Sequence, residues 1–365
     1  MKIVHISTVH PAYDTRIFYK ECISLQKHGF EVHLVIKCAG HEIKNNIFLH
    51  PVKNIQNKFL RLLFSPFFIL RSVMKLRGDL YHFHDPELIF LGLLLKIMGK
   101  KVIYDVHEDV SDQILHKGWI PKKMRGIVSF IVGNIENFSV RFFDGIVCAT
   151  PYIKKKFEEK NKNTVCVLNT PLLEEGIDIP AQHKKEDSVC YIGNITKERG
   201  AIEMVNAMEG TNVTLYLAGS FYSLLLKAEL EKLAGWKNVV YLGELSRKEV
   251  YNLMDKCVAG LACLHPTKNY SHSLPVKIFE YLNAGIVPII SNIPMWELEF
   301  KDFDGFYFVD PHNSFSIKQA ILHCVKEKEL SYQRGLLMRD IVRSRFNWKI
   351  EEKKLIELYQ KIYSN

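Results

Sequence analysis

Two series of strand-like runs, each alternating with helix-like stretches, constrain this chain more than any other feature. In the first half, KIVHIST, EVHLVI, LYHFH, KVIYDVH, GIVCAT and TVCVLN are apolar runs rich in β-branched residues. TRIFYKECISLQKHG and PELIFLGLLLKIMG lie between them with helical spacing, the second closed by Gly99. Buried strands separated by helices predict a doubly wound parallel sheet. Near Glu174 the pattern breaks into EEGIDIPAQHKKED, polar and punctuated by Gly and Pro, which reads as a linker. A second series follows: SVCYIG, TLYLAG, VVYLGEL, AGLACL, VPIIS and GFYFV. A chain of 365 residues suits two domains, here 1–173 and 174–346. The C-terminal FNWKIEEKKLIELYQKIY is an amphipathic helix with Ile350, Leu355, Leu358, Tyr359 and Ile362 on its apolar side.

A hydrophobic fraction of 47% and a charged fraction of 24% give each domain a sizeable core. The eight cysteines show no CxxC and no ligand-like spacing, and most lie in apolar runs. They read as reduced core thiols of a cytosolic protein. MKIVHIST is already a strand, so no secretory leader is expected. The net charge of +9 is uneven. Pro51 to Arg77 holds six Lys or Arg, no Asp or Glu, and the apolar centre FLRLLFSPFFIL. Arg61 and Pro66 interrupt that centre, which is shorter than the ~18–20 apolar residues of a spanning helix. A core helix, a nucleic-acid patch and an amphipathic helix on an anionic bilayer all fit basic charge of this kind. Phe and Leu beside the cations favour the bilayer and argue against nucleic acid. KGWIPKKMR (Lys117 to Arg125) adds charge and Trp119, which suits an interface.

Ser271 to Gly285, SHSLPVKIFEYLNAG, carries the chemistry. It runs from the strand AGLACL through a polar loop into a helix, and Gly285 leads to the strand VPIIS. Ser271 or Ser273 is a candidate cap, with Pro275 in the first turn. Strand, loop, helix, strand is one right-handed crossover unit, with its loop at the edge where open α/β sheets bind ligands. The helix N-terminus offers N–H groups to an anion, Lys277 adds a full charge, and Glu280 can accept from hydroxyl groups. YIGNITKERGA (Tyr191 to Ala201) repeats the arrangement, with Lys197 and Arg199 near a helix start, which suits a pyrophosphate. KVIYDVHEDV places His107 and Glu108 at a strand end. HFHDPEL offers His82, His84, Asp85 and Glu87; Asp85 reads as a helix cap before Pro86, with no second ligand cluster fixed nearby. In HPAYDTR, Asp14 or Thr15 can cap the first helix and Arg16 can face a cleft. No essential metal is expected.

FEYLNAGIVPIIS resembles the nucleotide-sugar helix of family 4 glycosyltransferases, retaining enzymes of GT-B fold. The resemblance implies two Rossmann-like domains facing a cleft, with the last helix (347–365) packing back on the first. It implies a ribose contact for Glu280 and a phosphate role for Arg199. His272 stands where that family has a glutamate for the donor sugar, and Asn194 stands where it has an arginine. The implied donor site comprises Asn194, Lys197, Arg199, His272, Ser273, Leu274, Val276, Lys277 and Glu280. His107, Arg199 and Lys277 take the catalytic roles, with Asp14, Arg16 and Glu108 toward the acceptor. HPAYDTR lacks the glycines usual in the family's first loop. No cofactor is implied, because the nucleotide sugar is a substrate.

The resulting expectation is transfer of a UDP- or GDP-hexose to a lipid-linked or polysaccharide acceptor at the inner face of the cytoplasmic membrane. Two other readings fit the architecture. A nucleotide-sugar epimerase would act without an acceptor, and a non-catalytic membrane scaffold would not bind the donor.

Overall fold

The computed structural model describes residues 1–52, 69–116, 120–172 and 185–364. It forms two compact units, Met1–Asn169 with Trp348–Asn365, and Thr170–Asn347. Most of the basic stretch 51–77, the linker after Leu172, and Trp119 lie outside the described residues. The end of the basic stretch is helical from 69 to 75; it buries Ile69 and Val73 and exposes Arg71 and Lys75.

The N-terminal unit is built on eight strands: β1 (Lys2–Pro11), β2 (Glu31–Lys37), β3 (Glu42–Lys44), β4 (Ile47–Pro51), β5 (Leu80–Phe83), β6 (Lys101–Val106), β7 (Gly145–Cys148) and β8 (Thr164–Cys166). Their order is β3-β4-β2-β1-β5-β6-β7-β8, parallel except for the β3–β4 pair. Val4, Ile6, Tyr81, Phe83, Val102 and Tyr104 fill the core on one side of it. The Trp348–Ser364 helix belongs to this unit; Trp348 Nε1 donates to Ser24 Oγ at 2.8 Å, and Leu355, Leu358 and Tyr359 are buried.

The C-terminal unit has six parallel strands: β9 (Ser188–Ile192), β10 (Thr214–Ala218), β11 (Val239–Gly243), β12 (Ala259–Ala262), β13 (Val287–Ser291) and β14 (Tyr307–Val309). Their order is β11-β10-β9-β12-β13-β14. Apolar clusters lie on both faces, one around Met204, Leu215 and Leu261, the other around Ile278, Tyr281 and Trp296. Both sheets reverse direction of growth once, between β1 and β5 and between β9 and β12. Such switch points leave a crevice beyond the strand ends. All eight cysteines are free thiols. Among the described residues, no helix is long and apolar enough to cross a membrane.

Candidate active site

In the C-terminal unit, the loops after β9 and β12 meet at the switch point. Gly193 follows β9 at φ +121°, and a Cβ there would lie 3.4 Å from Arg199 Nη1 and 3.6 Å from Lys277 Nζ. Only glycine takes that backbone easily, and its small size lets two cations approach one turn of main chain. Gly200 has φ +73°, and a Cβ there would be 2.1 Å from the Cys263 carbonyl oxygen. This close approach packs the Arg199 loop against the end of β12. Arg199 Nε donates to Tyr270 Oη at 3.1 Å, and Nη1 reaches the Asn194 carbonyl at 3.5 Å.

Lys277 comes from the second element of the site, the Val276–Asn283 helix. Its Nζ is buried, makes no hydrogen bond, and sits 3.9 Å from the Tyr191 ring centroid. Burial, then the charge of Arg199, pushes its pKa well below the ordinary lysine value. An unpartnered buried ammonium costs several kcal/mol, a cost that an anion beside it would remove. The helix start agrees. Pro275 occupies the cap position and makes no side-chain cap bond, so neither Ser271 nor Ser273 is the cap residue. The Ser273 carbonyl instead accepts from Trp296 Nε1 at 2.8 Å, and Leu274 packs against the same apolar cluster. Val276 is half-buried and His272 exposed.

Glu280 is buried one turn on and pairs with Arg247, not with Lys277. Lys197 leaves the cluster: it bonds Glu229 at 2.6 Å on the surface. Its place in the sequence next to Arg199 gave no hint of that, because a three-residue turn points the two side chains apart. Tyr281, on the same helix, spans the switch point. Its hydroxyl donates to the Leu261 carbonyl and accepts from Ile192 N, joining β12 to β9.

The N-terminal unit carries a second cluster at its own switch point. Asp85 does not cap the helix after it; its Oδ2 accepts from Ser7 Oγ, Thr8 N, Thr8 Oγ1 and Val9 N, fixing the end of β1. Asp14 does cap, accepting from Arg16 N and Ile17 N at 2.8 and 2.9 Å. His10 lies between them, 3.3 Å from Asp14 and 3.6 Å from Asp85. Burial would lower the His10 pKa, but the Asp14 hydrogen bond and the two carboxylate charges raise it. Sequence reasoning missed His10; its i,i+4 spacing to Asp14 was the available signal.

Arg16 does not face a cleft. It is buried, its Nε 3.0 Å from Glu21, its guanidinium on both Asp105 oxygens at 3.2 Å, and its Nη1 on the Val167 carbonyl at 2.9 Å. A charge can be buried only when its partners are buried with it, and those partners lie on different elements. Two carboxylates share one guanidinium here. The Arg16 charge holds Asp105 well below the usual carboxylate range against its burial, while burial and Asp105 push Glu21 well above it. His107 Nε2 is 3.2 Å from Asp105 and 3.4 Å from His84 Nδ1. Burial, despite Asp105, lowers the His107 pKa to about 3, so its imidazole is neutral at physiological pH. Glu108 is half-buried in the loop after β6.

Metal-ligating side chains also converge. His5, Glu21, His82 and His84 form one group, and His84, Asp105 and His107 form another. HFHDPEL has no second ligand cluster nearby in sequence, and the fold brings further ligands to it from distant stretches. His5 Nδ1 lies 2.9 Å from His84 Nε2, its Nε2 lies 3.2 Å from Tyr359 Oη, and His84 Nδ1 lies 3.1 Å from Asp105. These contacts form a hydrogen-bonded chain of imidazoles. Glu203, His265 and His312 make a third group in the C-terminal unit.

Two family models match the chain: Glycosyltransferase Family 4 over residues 15–170, and Glycosyl transferases group 1 over residues 174–335. The fold is similar to a sucrose-phosphate synthase from Thermosynechococcus elongatus, with TM-score 0.79 at 13% identity over 100% of this chain and 99% of that one. It is also similar to Anabaena HepE in complex with UDP and glucose (TM-score 0.72, 13% identity, 99% of each chain). A third is an E. coli structure described as trehalose-6-phosphate bound with UDP-2-fluoro glucose (TM-score 0.71, 12% identity, 99% of each chain). No curated protein sequence matches it. The two parallel-sheet units and the matches across them define a GT-B glycosyltransferase. The chain belongs to glycosyltransferase family 4.

Proposed function

We propose that the chain transfers a hexose from a nucleoside-diphosphate sugar, UDP- or GDP-linked, to a lipid-linked or polysaccharide acceptor in bacterial surface-glycan synthesis, with retention of anomeric configuration. The observation that carries the donor assignment is the unpartnered Lys277 ammonium beside Arg199 at Gly193. Two cations and a free helix start match the charge of a diphosphate. HepE and the E. coli structure were solved with UDP or a UDP-sugar, which favours a nucleotide sugar over a free sugar phosphate.

In the reaction the bond between anomeric carbon and phosphate oxygen breaks as the acceptor oxygen bonds that carbon. The acceptor proton passes to the departing phosphate. Negative charge grows on the diphosphate, and Lys277, Arg199 and the helix N–H groups stabilise it electrostatically. That assigns the work of a metal to side chains, so activity should survive a chelator. Glu280 is assigned to the ribose hydroxyls, for which Arg247 must give way. His107, as a neutral imidazole, can donate or accept one hydrogen bond to a sugar hydroxyl. Residues 51–77 are assigned to an anionic membrane surface.

Calorimetry tests the donor assignment. Native protein should bind UDP or GDP, and Lys277→Met should lose most affinity for the diphosphate and little for the nucleoside. Equal losses for both ligands would remove Lys277 from the phosphate site. Vesicle binding that survives Lys58→Glu/Arg61→Glu/Arg71→Glu/Lys75→Glu would remove 51–77 from the membrane surface.

A further inference from the structure

The Lys122–Ser139 helix packs Val128, Val132 and Ile135 half-buried against the core but leaves larger apolar side chains outside. Its buried positions are Ser129, Gly133, Glu136 and Ser139. Its solvent side carries Met124, Ile127, Phe130, Ile131 and Phe138, with Phe142 just beyond, and Phe130 is 73% exposed. Helices of globular units normally bury the large apolar residues and expose the small and polar ones. At 100° per residue these exposed side chains fall within about a third of the helix circumference. Scattered exposed apolar residues need no account, but a contiguous stripe marks an interaction surface. The neighbouring Ile89–Ile97 helix packs beside it and exposes Phe90 and Ile97, with Met98 following.

We propose that this stripe is a docking surface for an anionic lipid bilayer. The charge around it selects the partner. Lys122 and Lys123 open the helix and Arg141 follows it, all exposed. The helix's one acid, Glu136, is turned inward, where it meets Lys156 Nζ at 3.0 Å and Tyr104 Oη at 3.0 Å. The outward side therefore offers cations and Phe or Ile side chains without a carboxylate. That combination defines a helix lying in the plane of an anionic interface, its apolar face among the acyl chains and its cations at the headgroups. A helix of 18 residues is about 27 Å long, enough to lie along the surface over its full length. The inference deepens the reading of a lipid-linked acceptor and rests on it for the choice of a bilayer over a second copy of the chain. It rests on residues other than those of the 51–77 stretch.

The test uses the full chain with phosphatidylcholine vesicles, with and without phosphatidylglycerol. The variant Ile127→Ser/Phe130→Ser/Ile131→Ser/Phe138→Ser changes exposed positions only. Native protein should co-sediment with the anionic vesicles, and the variant should partition at least about tenfold more weakly. Lys122→Glu/Lys123→Glu/Arg141→Glu should lose the preference for anionic vesicles. UDP or GDP binding should stay at the native level in both variants. A stripe variant that sediments like the native protein overturns the docking surface. So does native protein that ignores both vesicles, or that is dimeric in solution while the stripe variant is monomeric. Stripe-dependent sedimentation by a protein that binds no nucleotide would keep the surface and sink the donor reading instead.

Discussion

In the N-terminal unit, Arg16 meets two carboxylates and a carbonyl oxygen; in the C-terminal unit, Lys277 meets no hydrogen-bond acceptor. Both cations are buried near a switch point of a parallel sheet. The first is compensated on every side, so it fixes strand ends and loops in place. The second makes no hydrogen bond and sits beside another cation, so its charge is not compensated in the same way. A saturated network positions what surrounds it, whereas an unsaturated one has free energy to give to a ligand. The variants that remove these two cations should therefore fail in opposite ways.

The largest effect expected is on folding. Arg16→Met leaves Glu21 and Asp105 buried without their guanidinium and should cost about 3–5 kcal/mol of stability. Donor affinity of the remaining folded protein should stay unchanged. Urea titration measures the first quantity and calorimetry the second; a stable variant with weak donor binding would give Arg16 a ligand role.

Lys277→Met should do the reverse. Turnover should fall about a hundred- to a thousandfold, while the ligand-free protein becomes no less stable, because an uncompensated buried charge has gone. The pH dependence sharpens this. The folded-state pKa of Lys277 is depressed, so the unfolded chain binds more protons between that value and the ordinary 10.5. Stability of the free protein should rise with pH across this window. The rise should be absent from Lys277→Met and reduced when a diphosphate is bound. A native-minus-Lys277→Met stability difference that fails to rise there would mean that Lys277 already has a counter-ion.

Glu280→Ala should weaken donor binding by about 1.5–3 kcal/mol, the range for a charge-assisted hydrogen bond. Arg247→Ala separates the two partners of Glu280. If Arg247 only occupies the carboxylate until ribose arrives, its removal should leave donor affinity equal or tighter. A loss as large as that of Glu280→Ala would make Arg247 a donor contact itself.

These sites were legible in the sequence to unequal degrees. The strands were legible because β-branched runs between helical stretches have few other uses. The Val276–Asn283 helix was legible because Gly285 and the strand after it bound it. Arg199 and Lys277 could be placed near helix starts from local spacing alone. Their neighbours could not, since Lys197 turns to Glu229 and Glu280 turns to Arg247 across contacts of about 30 residues' separation. Arg16 was misplaced for the same reason. Its partners Asp105 and Val167 are 89 and 151 residues away, and burial of a cation depends wholly on such partners. Asp85 looked like a cap because Pro86 follows it; tertiary N–H and hydroxyl donors from β1 outcompete the local bond.

The smallest effect expected concerns His10, at the rim of the saturated cluster. Asp14 and Asp85 raise its pKa above the ordinary 6.5. A raised imidazole pKa means that the folded state binds the proton more tightly than the unfolded chain. That contribution is therefore complete below the unfolded value of about 6.5 and is lost as pH rises through the folded value. His10 is partly open to solvent, so the gain belongs with screened pairs, at most about 1 kcal/mol. His10→Gln keeps a hydrogen-bonding side chain and removes the titration. Native protein should exceed this variant in stability below pH ~6.5, and the difference should shrink toward zero in mildly alkaline buffer. Paired urea titrations at both ends of the range measure it. A difference that stays constant with pH would show that His10 contributes packing and not charge, leaving Asp14 and Asp85 to be compensated by their N–H and hydroxyl donors alone.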